Sequence, residues 1–111
     1  MRVALHSEIR ENAVDDYRDH HARIPDDLVA AFGRLGIHEW TIWRSGRRLF
    51  HLVDCDDWDA VVAALPHEPA DQAWQRDIGR FVELFRDADG DEGTAPLELI
   101  WDLTAQRDGA G

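Results

Sequence analysis

Ile37-His38-Glu39-Trp40-Thr41-Ile42-Trp43-Arg44-Ser45-Gly46-Arg47-Arg48-Leu49-Phe50-His51-Leu52-Val53-Asp54-Cys55 sets two runs of β-branched and aromatic residues on either side of a short basic segment. Such runs favour a pleated, half-buried surface, and the glycine between them supplies a turn. Ile37 to Trp43 and Leu49 to Cys55 therefore read as an antiparallel hairpin closed around Gly46. Both faces of this hairpin are apolar or aromatic: Trp40 and Ile42 alternate with Thr41 and Trp43, and Leu49 and Val53 alternate with Phe50 and Leu52. An antiparallel sheet with one face in water shows a polar face. Something must cover each side of this one.

Outward from the hairpin the periodicity changes. Towards the N-terminus, Ala13, Val14, Tyr17, His21, Ile24, Leu28, Phe32 and Leu35 recur at three and four, the period of a helix ending at Gly36. Pro25 lacks an amide donor and restricts Ile24, so a kink or two joined helices are expected there. Arg2 to Ile9 alternates as a strand, and Glu11-Asn12 breaks it and can cap the helix that follows. Towards the C-terminus, Trp58 to Leu65 reads as a short helix. Asp71 to Phe85 reads as a longer one with Trp74, Ile78, Phe81, Val82 and Phe85 on its stripe, with Pro66 and Pro69 separating the two. Asp87 to Gly93 is an acidic, glycine-containing connection without the length or terminal glutamate of a calcium loop. Pro96 to Leu103 alternates as a last strand, and Ala105 to Gly111 reads as a frayed tail.

Two strand-helix-strand halves in tandem imply an α+β fold, a ferredoxin-like sandwich with a four-stranded antiparallel sheet and helices on one face. Residues 1–104 form the domain and 105–111 a flexible tail. A second copy packing sheet to sheet is the simplest cover for the other face, giving a homodimer of the dimeric α/β barrel type.

The 111 residues suit one domain. Twelve Lys plus Arg against twenty-three Asp plus Glu give a formal charge of -11, which repels phosphate backbones and anionic lipid. Nucleic acid and membrane are excluded as expected partners; Arg44, Arg47 and Arg48 read as a solubilising hairpin tip. Cys55 is the sole cysteine, so no internal disulfide forms and a reducing cytoplasm is the expected home. Neither an export segment nor a membrane-spanning run is expected.

Tyr17 and His21 carry the clearest chemistry. Four residues apart on a helix, they present a neutral-pH proton carrier beside an aromatic hydroxyl. Trp40 and Trp74 are candidate flat walls for a ligand, with indole N–H groups as donors. His6 and His51 lie on strands and read as hydrogen-bonded histidines in or beside the core; His20 points away from His21 and reads as solvated. No His-x-His or His-x-x-x-His spacing supports a metal, and no metal is expected.

Tyr17-x-x-x-His21, Gly36-Ile37-His38-Glu39-Trp40-Thr41-Ile42-Trp43, Leu49-Phe50-His51-Leu52-Val53, Trp74-Gln75 and Leu99-Ile100-Trp101-Asp102-Leu103 stand in an order that resembles the L-rhamnose mutarotase family. The resemblance runs from about Arg2 to Leu103. It implies a dimeric ferredoxin-like barrel that interconverts the α and β anomers of a 6-deoxy sugar without a cofactor. By the resemblance His21 is the proton donor, and Tyr17, Trp40, Trp74 and Gln75 contact the sugar. The chain departs from the family pattern at Trp40, which stands at a tyrosine position, at Gln75, which replaces the second residue of a Trp-Trp pair, and at Pro25-Asp26-Asp27, where Trp-Pro-Glu is common. These departures fall on sugar contacts, so L-fucose is a candidate beside L-rhamnose. Two other classes suit the same frame: a cofactor-independent oxygenase of aromatic substrates, and a non-catalytic sugar binder.

Overall fold

The computed structural model describes residues 1–86 and 96–109. Among them four strands, β1 (Arg2–Ile9), β2 (Ile37–Ser45), β3 (Arg48–Cys55) and β4 (Val82–Arg86), form one antiparallel sheet in the order β2-β3-β1-β4. The hairpin register sets Trp43 opposite Phe50 and Trp40 opposite Val53. Gly46 at φ 60 makes its turn, as a left-handed position favouring glycine requires.

The helices are α1 (Val14–His20), α2 (Asp26–Arg34), α3 (Trp58–Ala64), α4 (Pro69–Ile78) and α5 (Leu103–Arg107), with a 3-10 turn over Leu65–His67. The broken helical pattern becomes two helices: α1 stops at His20, and Pro25 at φ -59, ψ 146 is the N-cap of α2. Asn12 does not cap α1. It takes a left-handed φ of 64 in the turn after β1, a conformation asparagine tolerates, and Ala13 holds the cap position without a side-chain bond.

α1 to α4 pack on the face that carries Val3, Leu5 and Ile9 of β1 and Leu49, Val53 and Cys55 of β3. Trp58 and Val61 of α3 close one end of this core; Tyr17, Leu28, Trp74 and Ile78 of α1, α2 and α4 close the other. Leu5, Ile9, Leu28, Leu49, Val53 and Val61 are fully buried, each stabilising the fold by roughly 1.5–3 kcal/mol relative to exposure. On the opposite face Trp43 is 55% exposed and Phe50 39%.

Two expected elements differ. The helix read over Asp71 to Phe85 ends at Ile78, and Val82–Arg86 is β4. Gly79 is the C-cap of α4, where a Cβ would sit 2.6 Å from the Gln75 carbonyl. Beyond this stop the β-prone Phe81 and Val82 are released to pair with β1. The strand expected at Pro96 to Leu103 is irregular. It makes a backbone bond from Leu97 N–H to Ala4 O (2.8 Å), is held by Arg2–Asp102 (2.7 Å), and runs into α5, which Asp102 caps where a tail was expected. The acidic connection read over Asp87 to Gly93 lies outside the described residues.

Candidate functional site

A cavity of about 690 Å³ opens between the helices and the sheet, within the roughly 300–1,000 Å³ typical of small-ligand pockets. Tyr17 and His21 of the first helical segment, Trp40 of β2, and Trp74 and Gln75 of α4 all line it. The five residues singled out in the sequence thus meet at one place.

The Tyr17 and His21 rings lie 5.3 Å apart, tilted by 39°. His21 caps the C-terminus of α1, its backbone N–H bonded to the Tyr17 carbonyl at 2.9 Å, and sets its ring edge-on to Trp74 at 5.2 Å. Burial pulls the His21 pKa below its ordinary 6.5; a backbone hydrogen bond opposes this and His20 adds to it. Burial pushes the Tyr17 phenol up to about 12, so it remains a hydroxyl at any cellular pH.

His20 is not solvated. It stacks on Trp74 (5.2 Å, 15°) and meets Phe81 edge-on, and its Nε2 is buried without a hydrogen-bond partner among the described residues. The two adjacent histidines therefore clamp Trp74, one on its face and one at its edge.

Trp40 departs from the expectation of a free donor. Its Nε1–H donates to His51 Nδ1 (3.1 Å), and its ring stacks on Phe32 at 5.4 Å. An indole nitrogen can only donate, so His51 carries its proton on Nε2 and gives it to Ser7 Oγ at 2.9 Å. Burial, and then the His21 and His6 charges, push His51 down to about 4, which keeps this chain of three side chains neutral and its tautomer set. His6 stacks on Phe50 on the other face of the sheet, so it cannot join His21 and His51 around one ligand. His38 is exposed, and its bond to Asp56 (2.7 Å) raises its pKa.

Asp71 is the residue sequence reasoning missed. It reads as a helix-start acid, a type usually solvated, yet it is 6% exposed and lines the cavity. It accepts a hydrogen bond from Gln75 Nε2 at 3.3 Å, and burial raises its carboxyl above the usual range. Its spacing held the signal: Asp71, Trp74 and Ile78 fall on one stripe of α4, the buried one.

Together these groups give an aromatic-walled cavity lined by His21 and by the buried carboxylate of Asp71. Among solved structures, the fold is similar to an L-rhamnose mutarotase from Formosa agariphila (TM-score 0.74, 15% identity, covering 93% of this chain and 98% of that one). It is also similar to the tetracenomycin F2 cyclase of Streptomyces glaucescens, a type-II polyketide cyclase (TM-score 0.66, 16% identity, 95% and 98%). No curated protein matches the sequence. At these identities the two structures speak for the fold alone, while the sequence model of one family, L-rhamnose mutarotase, matches residues 2–103; the chain belongs to the L-rhamnose mutarotase family.

Proposed function

We propose that this protein is an isomerase that interconverts the α and β anomers of a 6-deoxy sugar, L-rhamnose first and L-fucose as the alternative, with His21 as the acid that protonates the ring oxygen. The observation that carries this reading is His21 held between Tyr17 and Trp74 on the wall of an aromatic cavity. Opening a hemiacetal ring needs a proton at the ring oxygen while another leaves the anomeric hydroxyl. A positioned acid is worth roughly 10²–10⁴-fold, enough for a reaction of this modest barrier without a cofactor. Trp74 offers an apolar wall to the C–H face and methyl group of the sugar. Tyr17 offers a hydroxyl, and Gln75 an amide oxygen, since its nitrogen already serves Asp71. Trp40 supplies wall only.

The same reading includes a homodimer, in which a second copy covers the face bearing Trp43 and Phe50. It also includes a cytoplasmic home, in keeping with the single buried Cys55. No helix among the described residues is long and apolar enough to cross a membrane.

NMR saturation transfer between anomers, run across L-rhamnose, L-fucose and common hexoses, tests the reaction and names the sugar. Exchange above the buffer rate for a deoxy sugar is expected. A flat result for every sugar refutes the reading and favours the non-catalytic binder or the oxygenase.

A further inference from the structure

We propose that Asp71 is the second catalytic group of this cavity, the base that takes the proton of the anomeric hydroxyl while His21 delivers one to the ring oxygen. This rests on the mutarotase reading and completes it. Placement argues for it first. Asp71 and Trp74 are three residues apart on the buried stripe of α4, neighbours on one helix face, and His21 stands edge-on to Trp74. A sugar laid on the indole therefore has a histidine and a carboxylate beside it.

The other titratable groups lining the cavity are unsuited. Tyr17 holds its proton to about pH 12. Both ring nitrogens of His51 are engaged, by Trp40 and Ser7. His38 is exposed and bonded to Asp56, and Glu39 is exposed on the edge strand β2. Arg34 of α2 is paired with Glu68, the N-cap of α4, at 3.0 Å. Glu8 alternates with Ser7 and Ile9 and so faces the far side of the sheet.

The step balances with one proton shared by the pair. In the starting state His21 is an imidazolium and Asp71 a carboxylate. The anomeric O–H gives its proton to Asp71, the bond between the anomeric carbon and the ring oxygen breaks as the carbonyl forms, and the ring oxygen takes the His21 proton. Asp71 is now a neutral acid and His21 a neutral imidazole. After rotation about the C1–C2 bond the ring closes on the other carbonyl face, His21 recovers its proton from the attacking hydroxyl, and Asp71 returns its own to the new anomeric oxygen. Burial lowers the histidine and raises the carboxyl, which brings the two states closer in energy than in water.

A pair sharing one proton gives a bell-shaped pH dependence whose two limbs belong to the pair. The measurement is saturation transfer on L-rhamnose from pH 4 to 8, with wild type and Asp71→Asn, alongside sugar affinity by chemical-shift titration. We expect D71N to lose about 100-fold in exchange rate and to lose the acid limb, with affinity within threefold of wild type. A D71N protein that exchanges within threefold of wild type and keeps the same pH profile overturns the assignment, as does one that loses affinity and stability while the limb stays. Should D71N fail to fold, a wild-type profile without an acid limb above pH 4 overturns it, and one with such a limb that persists in Asp71→Glu at reduced rate upholds it. A wild type silent on every sugar instead refutes the mutarotase reading itself, whatever D71N does.

Discussion

His21 and His51 are chemically the same residue in two settings: His51 is buried in the sheet with both ring nitrogens bonded, and His21 lines the cavity. His51 is locked between Trp40 and Ser7 and pushed down to about 4, so it stays neutral where an unfolded histidine, near 6.5, would charge. In the window between those values the unfolded chain binds a proton the folded one refuses. Stability is then full above about pH 6.5 and falls as pH drops towards 4, by an amount on the order of 3 kcal/mol for this group. Thermal melts across that window check it: a His51→Gln variant is expected to show a shallower loss between pH 6.5 and 4.5 than wild type. Among the described residues His21 has no such lock, and it lines the cavity. His21→Asn is expected to lower anomer exchange by roughly 10²–10⁴-fold while sugar affinity is nearly unchanged, as saturation transfer and a binding titration on one sample will show. Tyr17→Phe keeps the ring packing and removes the hydroxyl, so it is expected to weaken sugar binding by about 1 kcal/mol, roughly fivefold, with little loss of rate at saturation. The Tyr17 and His21 pairing was legible in sequence because a four-residue helical spacing is local. The Trp40-His51-Ser7 chain was not, because it joins three strands whose register is fixed by tertiary pairing.

Several of the elements that sequence located correctly have local punctuation, Gly46 in the hairpin, Gly36 before β2, and Pro25 between α1 and α2, while β1 was legible from alternation alone. Gly36 carries the heaviest constraint. It sits at φ +80, and a Cβ there would come within 2.8 Å of Asp56 Oδ2, a carboxylate also bonded to His38. Gly36→Ala is therefore expected to cost about 1–2 kcal/mol for the left-handed backbone alone, read as a lower urea midpoint with an unchanged slope. The boundary between α4 and β4 was misread for a physical reason. Phe81, Val82 and Phe85 continue the three-and-four spacing of Trp74 and Ile78 by coincidence, and a short apolar run fits a helix stripe or a buried strand equally well. Gly79 was the deciding mark. Asp71 was hidden for a related reason, since an acid in a first helical turn usually complements the helix dipole from water.

At the scale of the whole molecule, the sheet has one face packed against the helices, and another on which Trp43 and Phe50 stay exposed among the described residues. Cross-strand register places Trp43 opposite Phe50, and Phe50 opposite and stacked on His6, forming an aromatic band across β2, β3 and β1. The segment that runs from Leu97, bonded to Ala4, towards α5 also exposes Leu99, Ile100 and Trp101, by 77%, 82% and 62%. A net charge of -11 opposes contact between two copies over long range. That repulsion is screened beyond roughly 8 Å at physiological salt, whereas apolar burial at about 25 cal/mol per Å² is not. If the proposed homodimer forms through this band, light scattering behind size exclusion is expected to give twice the 12.7 kDa chain mass at physiological salt. Introducing a charge at the centre of the band, Trp43→Glu, places two buried like charges across the pair and is expected to yield a monomer. Because Trp43 lies on the face away from the cavity, that monomer also separates assembly from chemistry. Anomer exchange near the wild-type rate in a Trp43→Glu monomer shows each cavity to be complete within its own chain; a rate that falls with the dimer shows that the second copy contributes to the site.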